Sequence, residues 1–193
     1  MFSSRVAEAL TLALDLHRDQ RRKGTDIPYV GHLMAVAALV AEHGGSEDQV
    51  IAALLHDAIE DQGDRITAEG IAARFGEQVA AIVVACSDTD VQPKPPWRER
   101  KERYIAHLDA APPAALLVSC ADKLHNAQAI LGDLREIGPA MLTRFNVGPS
   151  EILWYYRALA DRFLALMPSR IARELARAVG ELERSLGASA SAP

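Results

Sequence analysis

A short segment, residues 53–61, carries the side chains of this chain best suited to chemistry. His56 and Asp57 are adjacent, and Glu60 and Asp61 follow within about one helical turn. The residues before them are apolar, so the segment is predicted to enter the core, where charge is costly unless it is compensated. A divalent cation is the usual compensation. The spacing therefore predicts a metal site, with His and Asp as ligands and the two following acids handling a water molecule.

A solvated, acidic helix end is the alternative interpretation of this segment, and two further residues argue against it. Asp122 follows the apolar run 116–121, so its carboxylate is predicted to enter the core and to need a partner. His32 stands at the start of another predicted helix, and helical bundles build internal metal sites from such inward-facing side chains. Asn126 lies four residues after Asp122 on the same helix face, where it is placed to contact the site or a bound ligand.

Composition predicts an all-α protein. Hydrophobic residues make up 49% of the 193 residues and aromatic residues only 5%, with many of the strong helix formers Ala and Leu and few strand formers. The net charge of −5 argues against a nucleic-acid polymer as partner and leaves a small phosphorylated ligand open. No signal sequence or long apolar span is evident, which predicts a cytoplasmic protein without a membrane partner.

Hydrophobic periodicity predicts a single bundle of about eight to ten helices over residues 1–187, with a disordered tail at 188–193. Ser46 and Gln49 form a capping box, which predicts a helix carrying Val50 to Asp61. The acids would then lie at the helix C-terminus, where the dipole disfavours anions and a cation would compensate. The other predicted helices span residues 3–20, 32–42, 68–75, 77–86, 97–110, 114–135, 151–166 and 170–186.

The order His, His-Asp, Asp resembles the HD-domain metal-dependent phosphohydrolases. The similarity is closer to the hydrolase domain of the Rel/SpoT alarmone enzymes and to stand-alone small alarmone hydrolases of the metazoan SpoT-homologue type. His-Asp-x-x-Glu-Asp, with Arg-Lys before Pro-Tyr and Asp-Lys-Leu-x-Asn after, is a specific combination. The matching segments are residues 20–23, 28–32, 53–61, 75–79 and 121–126, with weaker similarity at 156–160.

The resemblance implies that His32, His56, Asp57 and Asp122 ligate one divalent ion, typically Mn²⁺. Mixed nitrogen and oxygen ligation is consistent with Mn²⁺ and does not exclude Fe²⁺ or Zn²⁺. HD enzymes with two metals generally carry additional His ligands between the His-Asp pair and the last Asp. Only His107 lies in that interval here, in a charged helix, so a single metal is favoured.

The resemblance also implies a catalytic pair and a nucleotide site. Glu60 and Asp61 would orient and deprotonate the attacking water. Arg22 and Lys23 match the base-contacting pair of the family, whose long side chains can cover a purine face. The other candidates for substrate binding are Asn126, Tyr156, Lys94, Arg98 and Lys101.

Some positions leave alternatives open. Lys94, Arg98 and Lys101 could hold phosphate oxygens, since pyrophosphate needs nearby cations, and a charged helix surface explains them equally well. The segment 87–103 that contains them differs in length from the metazoan form. Tyr29 is predicted to pack rather than to contact the ligand, and His17 is predicted to be a structural or surface residue.

The activity that the resemblance implies is Mn²⁺-dependent removal of the 3′-pyrophosphate from (p)ppGpp, giving GDP or GTP and pyrophosphate. The chain is too short for the synthetase domain of bifunctional Rel/SpoT enzymes, so hydrolase activity alone is expected. The same chemistry on (p)ppApp, or on the 2′-phosphate of NADPH, stays open because the sequence does not reveal which groups meet the purine. A non-catalytic nucleotide-sensing module is disfavoured, since no ligand is missing. The apolar residues 152–154 and the last helix are candidates for a homo-oligomer interface.

Overall fold

A computed structural model describes residues 2–87 and 95–189 of the chain. Within them the backbone is helical, apart from turns and an isolated antiparallel bridge between Arg21 and Pro28, so the predicted all-α class is confirmed. No helix in these ranges is long and apolar enough to cross a membrane. The α-helices are α1 (Ser4–Leu16), α2 (Val30–Glu42), α3 (Glu47–Leu55), α4 (Ala58–Gln62), α5 (Ala68–Phe75), α6 (Glu77–Cys86), α7 (Trp97–His107), α8 (Pro113–Ile137), α9 (Pro149–Leu166) and α10 (Arg170–Ser189).

The chain divides into two compact units, Met1–Asp122 and Lys123–Pro193. In the first, α3 packs against α1, α2 and α6, and all its residues from Val50 to Leu55 are buried. The predicted capping box is present: Ser46 Oγ accepts from the backbone of Gln49, and Gln49 Oε1 accepts from that of Ser46. A helix that is covered on every side by neighbours holds its last residues firmly in the core. These last residues lead directly into His56.

The predicted continuous helix from Val50 to Asp61 is wrong. It breaks into α3 and α4, with His56 closing the first and Asp57 opening the second. Asp57 has φ −99° and ψ 0°, a sparsely populated backbone region in which active-site residues are common. On one unbroken helix, adjacent residues point about 100° apart. The break instead lets these two adjacent side chains converge. It also places Glu60 and Asp61 in the first turn of α4, so the prediction that these acids lie at the C-terminus of a helix is wrong as well.

The predicted first helix was four residues too long, since α1 ends at Leu16 rather than at Gln20. Arg65, just beyond α4, supplies the reason. Its guanidinium donates to the carbonyl oxygens of Asp15 and Leu16 at 3.0 and 2.8 Å and to the carboxylate of Asp15 at 2.9 Å. These bonds satisfy carbonyls that the helix end leaves open. They also tie the end of α1 to the chain that leaves the acidic segment.

In the second unit, α9 packs against α10. Arg157 of α9 forms an ion pair with Glu183 of α10, and Ile152 lies in the core of this unit. Several predicted boundaries differ from those observed: α7 stops at His107, α8 is longer at both ends, and α10 continues to Ser189. The sequence also failed to predict the 3₁₀ helix Gly138–Arg144. The single-domain organisation stays a prediction.

Candidate metal centre

Four side chains from four helices or their ends meet in the first unit. His32 lies in the first turns of α2, His56 ends α3, Asp57 precedes α4 and Asp122 lies in α8. His32 Nε2 is 3.7 Å from Asp57 Oδ2 and 3.2 Å from Asp122 Oδ1. His56 Nε2 is 3.0 Å from Asp57 Oδ2 and 3.7 Å from Asp122 Oδ1. The side chains that the sequence proposed as ligands are therefore brought together.

The donor spacing fits a single ion. Ligand bonds of about 2.2 Å place neighbouring donors about 3.1 Å apart and opposite donors about 4.4 Å apart in an octahedral arrangement. The donor atoms of His32, His56 and Asp57 all lie within 4.8 Å of one another. Two imidazoles and two carboxylates form a mixed set that suits divalent first-row metals, with Mn²⁺ among them. The two aspartates would also offset two positive charges.

The orientation of His56 favours ligation through Nε2. Its Nδ1 lies 2.8 Å from the carbonyl oxygen of Ala53, which can only accept, so the proton of the neutral ring belongs on Nδ1. The lone pair of the neutral ring then lies on Nε2. This nitrogen is buried and lies 3.0 Å from Asp57 Oδ2, so it faces the carboxylates of the site. A backbone bond that fixes the ring in this way is typical of metal-binding histidines.

The site's charges shift the pKa values of its members in opposite directions. Burial lowers the pKa of His32. Burial also opposes protonation of His56, yet the carboxylates of Asp57 and Asp122 outweigh it and raise the pKa of that ring well above its ordinary value. Burial alone would raise the pKa of Asp57, but the charge of His56, its hydrogen bond to Asp57 and the charge of His32 together hold that pKa below its ordinary value. Asp57 is therefore ionised and available as a ligand at neutral pH.

Tyr29 takes part in this centre, which the sequence analysis did not foresee. Its hydroxyl donates to Asp57 Oδ2 at 2.5 Å, while its ring stacks on His17 and meets the edge of His32. Burial, followed by the charge of Asp57, raises the pKa of Tyr29, so the phenol keeps its proton. The ring packs, as the sequence predicted, and the hydrogen bond from its hydroxyl to Asp57 comes in addition. The sequence feature that could have identified Tyr29 as part of the site is the Pro-Tyr pair shortly before His32.

The two candidate catalytic acids lie on α4 beside the metal centre. Glu60 is partly exposed and Asp61 is exposed. The backbone of Asp61 donates to the carbonyl of Asp57 at 2.9 Å, so this acid stands one helical turn after a candidate ligand. Its Oδ2 accepts from Gln20 Nε2 at 2.8 Å. Gln20, like Tyr29, was not recognised as a member of the site.

The candidate nucleotide contacts are spread more widely. Arg22 and Lys23 lie in the turn between α1 and α2, which is closed by a bond of 2.8 Å from the backbone of Arg22 to the carbonyl of Ile27. Asn126 of α8 and Tyr156 of α9 belong to the second unit.

The candidate phosphate contacts lie in or near α7. Arg98 pairs with Glu102 along this helix, and Lys101 is a partly exposed residue of the same helix. Lys94 lies outside the described residues. The roles of all these residues stay predictions.

A family model described as HD domain matches residues 9–144. The chain belongs to the HD-domain family. That membership, together with the cluster of histidine and aspartate side chains, supports divalent-metal binding.

Proteins named as ppGpp hydrolases are similar to this chain over most of its length. The chain is 37% identical over 137 residues, covering 69% of this chain and 72% of the relative, to the Xenopus tropicalis protein named guanosine-3′,5′-bis(diphosphate) 3′-pyrophosphohydrolase MESH1. The human protein of that name is 36% identical over 140 residues, covering 71% and 73% of the two chains. The Escherichia coli bifunctional (p)ppGpp synthase/hydrolase SpoT is 32% identical over 164 residues, which are 82% of this chain and 22% of that protein.

Solved structures confirm the expected fold. One, reported as a metazoan orthologue of SpoT that hydrolyses ppGpp, superposes with a TM-score of 0.74 at 25% identity, covering 97% of this chain and 98% of that one. The protein lmo0812 from Listeria monocytogenes superposes with a TM-score of 0.71 at 28% identity, covering 79% and 99% of the two chains.

Proposed function

We propose that this protein is a Mn²⁺-dependent small alarmone hydrolase that removes the 3′-pyrophosphate from (p)ppGpp and releases GDP or GTP. The observation that carries the proposal is the convergence of His32, His56, Asp57 and Asp122 beside the acids of α4. Relatives with a 3′-pyrophosphohydrolase name cover most of the chain, which selects this substrate among those that an HD site can accept.

The metal is assigned to these four side chains because the donor atoms of His32, His56 and Asp57 lie within 4.8 Å of one another and Asp122 Oδ1 lies 3.2 and 3.7 Å from the two imidazole nitrogens. When bound, a divalent ion acidifies water and polarises a phosphoryl oxygen. The protein residues set the charge of the site and the orientation of its ligands, which the ion does not provide. The two aspartates set the charge of the site, and the Ala53 carbonyl fixes the ring of His56.

Glu60 and Asp61 are assigned to the attacking water. Water adds to the phosphorus that is bonded to the 3′ oxygen, and its proton passes to one of these carboxylates. The bond from that phosphorus to the 3′ oxygen breaks, and the departing oxygen takes up a proton. The products are GDP or GTP and pyrophosphate. The position of both acids in the first turn of α4, directly after Asp57, supports this role.

Substrate recognition is assigned in part to the turn between α1 and α2. Arg22 and Lys23 are proposed to lie against the purine, and Asn126 and Tyr156 to contact the nucleotide. A phosphate role for Arg98 requires it to exchange its ion pair with Glu102 for the substrate, an exposed pair of the kind that contributes little. Lys94 and Lys101 are proposed for the same purpose. The cytoplasmic location and the possibility of a homo-oligomer also stay predictions.

Product analysis tests the proposal. Metal-stripped protein is incubated with ppGpp, pppApp or NADPH, each with and without Mn²⁺, and pyrophosphate and orthophosphate are measured separately. Mn²⁺-dependent pyrophosphate release from ppGpp is expected. Release from pppApp alone would change the purine, and orthophosphate from NADPH alone would indicate a 2′-phosphatase.

The matched variants are Asp57→Asn and Asp64→Asn. Asp57 is a proposed ligand, whereas Asp64 is an exposed acid just beyond α4, and both changes remove one negative charge. Loss of activity in the first variant and retention in the second would tie turnover to the metal centre. If the wild-type protein binds Mn²⁺ and hydrolyses none of the three substrates, the proposed function is wrong, and a nucleotide-sensing role becomes the better interpretation.

A further inference from the structure

The side chain of Gln20 bridges the end of α1 and the acids of α4. Its backbone is fixed on both sides, since its amide donates to the His17 carbonyl at 3.1 Å and its own carbonyl accepts from the Tyr29 amide at 3.0 Å. The side chain is half-buried. Nε2 donates to Asp61 Oδ2 at 2.8 Å. Gln20 therefore contacts a proposed catalytic carboxylate from a backbone position that is itself held in place.

The contacts of the Gln20 side chain determine which way its carboxamide is turned. Oε1 of Gln20 accepts from Gln62 Nε2 at 3.0 Å and lies 2.6 Å from His17 Nδ1. If the carboxamide were reversed, its oxygen would face the carboxylate of Asp61, and two acceptors would repel each other. The charged acceptor thus keeps the donating nitrogen directed toward Asp61. His17 must then donate through Nδ1.

His17 links this arrangement to the metal centre. The ring is only 2% exposed and stacks on Tyr29 with centroids 5.5 Å apart and an interplanar angle of 28°. Tyr29 in turn donates to Asp57. One packed pair therefore supports two donors, one directed at a candidate ligand and the other at a candidate base. His17, which was predicted to be a structural or surface residue, therefore contacts both Gln20 and Tyr29 beside the site.

We propose that Gln20 is a positioning residue for the reaction, whose carboxamide holds the Asp61 carboxylate in the orientation that receives the proton of the attacking water; this inference rests on the proposed function. Asp61 is exposed and sits on a helix of only five residues. A side chain in that setting has several rotamers available, and a charge-assisted bond selects one of them. Loss of the donor is expected to lower kcat about 10- to 100-fold, as for other groups that orient a functional side chain.

The experiment measures Gln20→Met, Asp61→Asn and the double variant. If Gln20 acts through Asp61, Gln20→Met lowers kcat in the wild-type background and has little further effect once Asp61 is Asn. KM for ppGpp and the dissociation constant of Mn²⁺ are expected to stay within about twofold of the wild-type values, because neither ligand is proposed to touch Gln20. A general loss of packing would instead reduce metal binding and kcat together in both backgrounds.

Two more variants complete the design. Gln20→Glu keeps an acceptor toward His17 and Gln62 but replaces the donor toward Asp61 with a like charge, so it should lower kcat at least as much as Gln20→Met. Gln78→Met, at an exposed position of α6, is the control for the same chemical change and should match the wild-type protein.

The outcomes separate the two proposals. An active wild-type protein whose Gln20→Met variant keeps full kcat, or loses equally in both backgrounds, overturns the role of Gln20 alone. A wild-type protein that hydrolyses none of ppGpp, pppApp and NADPH overturns the proposed function, and the role of Gln20 with it. A fall in kcat that disappears in the Asp61→Asn background, with Mn²⁺ binding intact, supports both.

Discussion

The hydroxyl of Tyr29 donates a hydrogen bond to Oδ2 of Asp57 at 2.5 Å. The same carboxylate oxygen is 3.0 Å from His56 Nε2, so the tyrosine orients a side chain that faces the proposed metal. Burial and the charge of Asp57 keep the phenol protonated, because both raise the pKa of Tyr29. A neutral donor that orients a ligand is the usual function of residues just outside a metal site.

Removing that hydroxyl should weaken metal binding. Tyr29→Phe keeps the ring that stacks on His17 and loses only the donor, so Mn²⁺ affinity is expected to fall about 10- to 100-fold with little change in Tm before metal is added. Titration calorimetry measures the affinity directly. Tyr104→Phe, at a buried tyrosine of α7, is the matched control. Equal affinities for wild type and Tyr29→Phe would show that the bond does not support the metal centre.

Removing a ligand should have a larger effect. Asp57→Ala or Asp122→Ala is expected to abolish both stoichiometric Mn²⁺ binding and hydrolysis, because each takes one oxygen donor and one negative charge from the site. Metal content after dialysis and pyrophosphate release are measured on the same samples, with circular dichroism as a check on folding. A folded Asp122→Ala protein that retains one ion per chain would remove Asp122 from the ligand set.

Glu60 should be separable from metal binding. Glu60→Gln preserves size and removes the base, so bound Mn²⁺ is expected to stay at the wild-type level while kcat falls by about 10²- to 10⁴-fold. The comparison is single-turnover hydrolysis of ppGpp by metal-loaded wild type and variant. Turnover at the wild-type rate would exclude Glu60 from proton transfer and leave that step to Asp61.

Metal binding should depend on pH through His56. Burial opposes its protonation, but the carboxylates of Asp57 and Asp122 raise the pKa of the ring well above its ordinary value. A ligand histidine must be neutral, so Mn²⁺ displaces a proton from it. Lowering the pH below that raised pKa adds the proton back and weakens binding, by about tenfold per pH unit for a single proton.

Calorimetry in buffers with different ionisation enthalpies measures this proton release, and about one proton per Mn²⁺ is expected near neutral pH. His107→Asn, at an exposed position, should release the same number. A heat of binding that does not depend on the buffer, with an affinity that does not change with pH, would contradict a protonated His56.

Patterns within a few neighbouring residues predicted the burial of one candidate ligand and the start of the helix that leads to two others. The apolar run before Asp122 predicted its burial, and Ser46 with Gln49 predicted a real helix start. The break at Asp57 could not be read in this way, because Ala58 and Ile59 continue the apolar helical pattern. The break lies where His56 and Asp57 meet side chains from α2 and α8, which is a tertiary arrangement.

The supporting hydrogen bonds lie beyond local patterns for the same reason. The Tyr29 hydroxyl reaches Asp57 across 28 positions, and Gln20 reaches Asp61 across 41. A glutamine in a basic turn and a tyrosine after a proline have many ordinary uses. The packing of α2 against α3, and of α1 against α3 and α4, brings these partners together.

The most direct test of the account is pyrophosphate release from ppGpp as Mn²⁺ is added back to the metal-stripped protein in measured amounts. A single-metal hydrolase should show no release without metal, a rate that rises in proportion to bound Mn²⁺, and saturation at one ion per chain. Release that is independent of metal, or that begins only after a second ion binds, would contradict a single-metal site formed by His32, His56, Asp57 and Asp122.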